Sequence, residues 1–181
     1  MFKKHMNNKD ISYPDLFAAL FFWALTLGWI VILFYLSSES GVASTQRSTS
    51  AVNFIELIFG EGAVTELVVR KVAHVLEYSI LTCLSFAAVR YTNKISQIKS
   101  YAESPVKLIK SDNEMYIAFS MWMSLLTAVV DEYHQLFVDG RDGSIKDVLI
   151  DAIGVIIVLI IIRVVFTVYL RYLGRKEVRY E

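Results

Sequence analysis

Leu16-Phe-Ala-Ala-Leu-Phe-Phe-Trp-Ala-Leu-Thr-Leu-Gly-Trp-Ile-Val-Ile-Leu-Phe-Tyr-Leu36 is a run of 21 residues without a charge. At about 1.5 Å per residue, one helix of that length covers the roughly 30 Å hydrocarbon core of a bilayer. Lys3, Lys4 and Lys9 precede it and imitate the basic start of a secretory signal. The apolar run exceeds the roughly 7 to 15 residues of a signal core, so a retained anchor is expected.

The rest of the chain points the same way. Of 181 residues 55% are hydrophobic, high for a water-soluble domain of this size. Lys/Arg and Asp/Glu number 18 each, so the net charge is zero and nothing suggests a nucleic-acid partner. The single cysteine, Cys83, lies in an apolar stretch, forms no disulfide within the chain and reads as a buried thiol. Residues 78–89, 115–130 and 152–162 are also charge-free, but each is shorter than the roughly 18 residues a span needs. Each must borrow polar residues to cross, which extends them to 67–90, 115–137 and 147–170. The expected fold is all-α: an integral membrane bundle of four transmembrane helices over residues 16–170, with 1–15 and 171–181 as cytoplasmic segments. A water-soluble helical bundle is the alternative, but the first run and the Ile/Val-rich residues 155–162 leave no polar face for water.

Basic residues set the orientation, because Lys and Arg of short loops are retained on the cytoplasmic side. With both termini inside, 13 of the 18 basic residues are cytoplasmic, while Glu39, Glu56, Glu61 and Glu66 concentrate in the first outer loop. The expected protein is therefore multi-pass with both termini cytoplasmic, with lipid as the surrounding partner. Residues 52–59 are apolar but too short to span and read as an interfacial helix, and residues 91–114, with Pro105, read as a solvated cytoplasmic loop.

Counting residues from the cytoplasmic ends gives the depth of each charge. Arg70 and Asp151 fall at the outer boundary, Glu77 about 10 Å below it and Asp131 within about 6 Å of it, with Gln135 level with the surface. Arg70, His74 and Glu77 follow an i, i+4, i+7 series flanked by Lys71; Asp131, His134 and Gln135 share one helix face, and Asp147, Asp151 and Gly154 another. A charge facing lipid costs at least about 2.5 kcal/mol, so these stripes should face one another around a polar cavity. Ser37 and Ser38, ending the first span, reach the same rim, and Gly154 permits close approach of the last helix. Structural pairing of Arg70 or Lys71 with Glu77 and Asp131 is the plainer alternative. Arg163, near the cytoplasmic end, is expected to snorkel.

At these residues the sequence resembles the VanZ family, which is associated with bacterial resistance to teicoplanin-type glycopeptide antibiotics. The resemblance rests on Phe34-Tyr-Leu-Ser-Ser-Glu-Ser-Gly41, on Lys71-Val-Ala-His-Val-Leu-Glu-Tyr78, and on Asp131-Glu-Tyr-His-Gln-Leu-Phe-Val-Asp-Gly-Arg141 followed by Asp147 and Gly154. One departure is Asp151, where the family pattern usually has Asn. The resemblance implies a bacterial cell membrane and envelope biology.

Three mechanisms fit. In the first, the site binds an anionic envelope molecule, a lipid-linked wall precursor or the glycopeptide itself, through Arg70, Lys71 and Arg141, with Glu77, Asp131, Glu132 and Asp147 orienting the cations. In the second, an intramembrane hydrolase or transferase uses His74 as general acid or base, oriented by Glu77, while Asp131 and Glu132 share a proton. A metal variant draws ligands from His74, Glu77, Asp131, His134 and Glu132. No motif requires a cofactor, since neither His-Glu-x-x-His nor paired Glu-x-x-His is present. The third is transport of a proton or small solute, for which four short helices would need to oligomerise.

Overall fold

A computed structural model describes residues 12–95 and 105–177, the side chains of 105–112 and 173–177 excepted. Five helices and no strands are present among the described residues: α1 (Tyr13–Ser37), α2 (Gly41–Phe59), α3 (Glu66–Lys94), α4 (Pro105–Gln135) and α5 (Ile145–Glu177). Local chemistry sets their starts. Ser12 precedes a first turn containing Pro14 and donates to Asp15 Oδ2 at 2.6 Å. Ser40 and Thr65 accept the Ala43 and Val68 amides, opening α2 and α3, and α4 begins on Pro105, where the missing N–H costs nothing.

Three helices are long and apolar enough to cross a membrane: residues Tyr13–Ser37, Glu66–Lys94 and Ile145–Tyr172. α4 is of similar length but is not among them. The expected solvated loop at 91–114 is corrected at both ends. α3 continues to Lys94 and α4 already begins at 105, because nothing in those segments except Pro105 opposes a helix and Pro105 sits where a helix tolerates it. The apolar 52–59 segment is the last part of a longer helix, α2, whose first half is Ser/Thr-rich.

α3 is the centre of the bundle and packs against α1, α2, α4 and α5. Its contacts fix the direction of each neighbour. Ser12 N–H donates to Ile95 O and Trp29 Nε1 to Glu77 O, so α1 runs antiparallel to α3. Asn93 Nδ2 donates to Tyr116 Oη and Thr82 Oγ1 lies 3.0 Å from Ser124 Oγ, so α4 is antiparallel as well. Ser79 Oγ reaches Gly154 O while Arg90 lies over the Phe166 ring, which makes α5 parallel to α3. The C-terminal ends of α1 and α4 and the N-terminal ends of α3 and α5 therefore meet at one end of the bundle.

The interior combines a core of Leu33, Tyr78, Leu81, Ala128, Val155 and Leu159 with small hydroxyl side chains. Thr26, Thr82, Ser85 and Ser120 are buried, and each donates to a carbonyl of its own helix three or four residues back. The outside is the apolar side: Phe17 and Val31 are 70% and 67% exposed, and Ile156, Ile160 and Val164 are similarly bare. That inversion suits hydrocarbon as solvent. Cys83, expected to be buried, is exposed, because Leu81, Thr82 and Ser85 take the inward face of α3 and leave Cys83 on the other.

Helix α5 sits close to α3 at one residue. A Cβ on Gly154 would stand 2.2 Å from Val75 O. Gly154→Val should therefore push the helices apart and destabilise the protein by about 1–3 kcal/mol, read as a lower midpoint of thermal unfolding in detergent. An unchanged midpoint would mean that the α3–α5 contact is not close-packed there.

Candidate functional site

The converging helix ends carry the ionisable residues. His74 on α3 and Asp151 on α5 are 77 positions apart, and His74 Nδ1 lies 3.0 Å from Asp151 Oδ1. Asp151 is fully buried, and its Oδ2 has no hydrogen-bond partner among the described residues. Glu132 of α4 joins them: ligand atoms of His74, Glu132 and Asp151 lie within 4.8 Å of one another. The Glu132 carboxylate is held by the Ser144 amide, which donates to Oε2 at 2.9 Å, and by a longer contact of 3.3 Å from Gln135 Nε2 to Oε1.

A second cluster lies beside the first. Asp131 is buried, and the Ser37 and Tyr78 hydroxyls from α1 and α3 face its carboxylate, although Ser37 Oγ, Tyr78 Oη and Asp131 Oδ1 close no well-formed hydrogen bond. Gln135 Nε2 bridges the clusters through a 3.4 Å contact with Asp131 Oδ2.

Two cavities open onto these groups. One, of about 290 Å³, is lined by Ser37, Ser44, Arg47, Arg70, His74, Glu77, Asp131, Gln135 and Arg141 with apolar neighbours. The other, of about 260 Å³, is lined by Arg70, Lys71, His74, Glu132, Gln135, Arg141, Asp142 and Asp147 among others. His74, Arg70, Gln135 and Arg141 form the wall they share.

Three guanidinium groups surround the first cavity, and their partners differ. Arg141, in the turn between α4 and α5, donates from Nε to Glu39 O and from Nη2 to Leu36 O, each at 3.0 Å, so it ties down the C-terminal end of α1. Leu36 O also takes the Glu39 N–H at 3.4 Å, and Glu39 lies just past α1, so the guanidinium reinforces the turn that ends the helix. Burial pushes the Arg141 guanidinium below its usual value, and the neighbouring charges of Arg70 and Arg47 push it further. Arg47 pairs with Glu39. Arg70 makes no side-chain hydrogen bond or ion pair among the described residues.

A model of the VanZ/LLP1 family matches residues 22–167. The chain belongs to that family. No curated protein and no solved structure matches it. The matched region runs from α1 through most of α5 and so contains every group of the site.

Within this VanZ/LLP1 bundle most of the expected residues come together. Ser37, Arg70, His74, Glu77, Asp131, Gln135 and Arg141 line one cavity, Lys71, Glu132 and Asp147 the other, and Asp151 stands behind His74. Some geometry differs from expectation. The group that orients the His74 ring is Asp151 of α5, not Glu77, which sits on the same helix and lines the cavity without a side-chain hydrogen bond to the ring. The clustered potential metal ligands are His74, Glu132 and Asp151; Glu77, Asp131 and His134 are outside the cluster. His134 packs edge-on against Phe34, and Ser38 turns its hydroxyl back to Phe34 O at 2.6 Å, so neither lines these cavities. Arg163, near the other end, pairs with Glu114 at 3.0 Å.

Ser44, Arg47 and Ser48 of α2 line the first cavity without having been anticipated. Ser40 followed by Gly-Val-Ala was the available signal, since a serine cap placed a helix start there. The α2 start is also locked to the Arg141 turn: Gly41 N–H donates to Asp139 O at 3.0 Å, and a Cβ on Gly41 would stand 2.0 Å from Gly140 O.

Because Arg141 satisfies two main-chain carbonyls, Arg141→Ala should cost about 2 kcal/mol or more in stability. Arg141→Lys should recover less than half of that, since an ammonium lacks the fork. Thermal unfolding of the purified variants measures both. Equal stability of all three proteins would show that the clamp carries no weight.

Proposed function

We propose that this VanZ-type protein is a four-span protein of the bacterial envelope whose outer-face cavities bind an anionic envelope molecule, lowering sensitivity to teicoplanin-type glycopeptides. α4 serves as the fourth span. Its charge-free residues 115–130 lie alongside α3, as the Asn93–Tyr116 and Thr82–Ser124 hydrogen bonds mark at two depths. The bias of Lys and Arg supports cytoplasmic termini, which puts the polar end of the bundle outside. α2 then lies along the outer surface, with Phe54, Leu57, Ile58 and Phe59 exposed to the interface.

The observation that carries the anionic ligand is Arg70. Its guanidinium is unpaired among the described residues and stands on the wall common to both cavities, with Lys71 exposed beside it. Arg47, paired with Glu39, and Arg141, on main-chain carbonyls, add like charge nearby, and an anion is what would pair the guanidinium that is left. A diphosphate on a lipid-linked wall precursor presents the oxygens that an arginine fork reads, while its chain remains in the bilayer.

The His74–Asp151 pair favours a second reading, an enzyme acting on such an intermediate. Asp151 fixes the ring through Nδ1, which leaves Nε2 to exchange a proton with a bound substrate. The substrate would be held by the same arginine.

Arg70→Ala should weaken binding of a polyprenyl diphosphate to the purified protein by about tenfold or more, the loss of one charge-assisted contact. Its thermal stability should not change, since the Arg70 side chain makes no hydrogen bond or ion pair among the described residues. Cells carrying the variant should become as sensitive to teicoplanin as cells lacking the protein. Undiminished diphosphate affinity in Arg70→Ala would overturn the binding assignment.

A further inference from the structure

We infer that His74, Glu132 and Asp151 form a site for one divalent cation of zinc or manganese type, open to the cavity shared with Arg70. Three helices supply the ligands: α3 the imidazole, α4 and α5 one carboxylate each, with ligand atoms no more than 4.8 Å apart. The donor set is suitable. One imidazole and two carboxylates match the three protein ligands of open metal centres, in which the remaining position is left for water or substrate.

Two further observations point to an ion rather than to a simple acidic cluster. Asp151 is fully buried, and its Oδ2 finds no partner among the described residues, so the carboxylate has unused acceptor capacity. Glu132 is equally well buried, at 4% exposure, and both its oxygens are already oriented by donors, the Ser144 amide and the Gln135 side chain. Carboxylates fixed by outer hydrogen bonds are the usual support of metal ligands.

Access is present as well. His74 and Glu132 both line the 260 Å³ cavity, so an ion enters from it and keeps coordination positions facing it. A phosphate oxygen held by Arg70 would occupy such a position. The cation site itself does not depend on the anionic-ligand reading, because its three ligands bind without any anion.

The test uses the full-length protein in detergent, its affinity tag removed, stripped with a chelator, loaded with Zn²⁺ or Mn²⁺ and desalted before elemental analysis. Wild type should retain about one ion per chain and unfold at a higher temperature than the stripped form. Asp151→Asn and Glu132→Gln, which keep shape but remove charge, should each retain less than a tenth as much, whereas Arg70→Ala should retain the ion in full. X-ray absorption at the metal edge should give a shell of oxygens with one imidazole nitrogen. Folded wild type that retains no ion above the buffer blank, or either variant retaining as much as wild type, would overturn the site. So would a shell with several imidazoles or sulfur. Failure of the reloaded Arg70→Ala protein to retain the ion would also contradict it, and diphosphate binding measured on the metal-loaded wild type separates failure of the cation site from failure of the anionic-ligand reading.

Discussion

Asp151 stands on an otherwise apolar stretch of α5 and is fully buried, so its carboxylate must find its partner inside the bundle. It finds His74, and the 3.0 Å contact between them sets how α5 is rotated against α3. In hydrocarbon no water is available to solvate a misplaced carboxylate, so the rotation that buries Asp151 against His74 is strongly selected. Gly154, one turn further along, then brings the two helices close enough for Ser79 to reach its carbonyl. Burial of polar groups from separate helices at one end, with apolar side chains outward, is the constraint from which the remaining arrangement follows.

The site end differs in character from the middle of the bundle. In the middle, hydroxyls satisfy themselves on their own helices or, as with Thr82 and Ser124, across an interface, and no charge is needed. At the site end several charged groups lean on a neighbouring segment: Arg141 on the carbonyls of Leu36 and Glu39, Glu132 on the Ser144 amide, Arg47 on Glu39. The α1 end, the α2 start and the α4–α5 turn are thus joined through Arg141 and the Gly41–Asp139 hydrogen bond, and together they roof the cavities. Arg47, Arg70 and Arg141 line the first cavity together with His74, Glu77 and Asp131.

Much of this was legible in the sequence, for identifiable reasons. The charge-free run at 16–36 determined α1 within a few residues, and the i, i+4, i+7 spacing of Arg70, His74 and Glu77 correctly put all three on one cavity wall. Depth counting put Asp131 within about 6 Å of the boundary and Asp151 at the boundary beside Arg70, one turn above the His74 that it contacts. Periodicity gives a face and a depth but not a partner. Glu77 and Asp151 were both within reach of His74 by level, and only the relative rotation of α3 and α5 decides for Asp151. The α2 helix was half visible, because its apolar end stands out while its Ser/Thr-rich start resembles a loop. The Arg141 clamp was not legible at all: its acceptors are main-chain carbonyls, which have no signature in the side-chain sequence.

The most direct test is a double-mutant cycle on the pair that links α3 to α5. Unfolding free energies of wild type, His74→Gln, Asp151→Asn and the double variant should be strongly non-additive, with a coupling of about 1 kcal/mol or more for a buried hydrogen-bonded pair. Additive effects within about 0.3 kcal/mol would mean that the two side chains do not touch, and the inward-facing polar end would have to be abandoned.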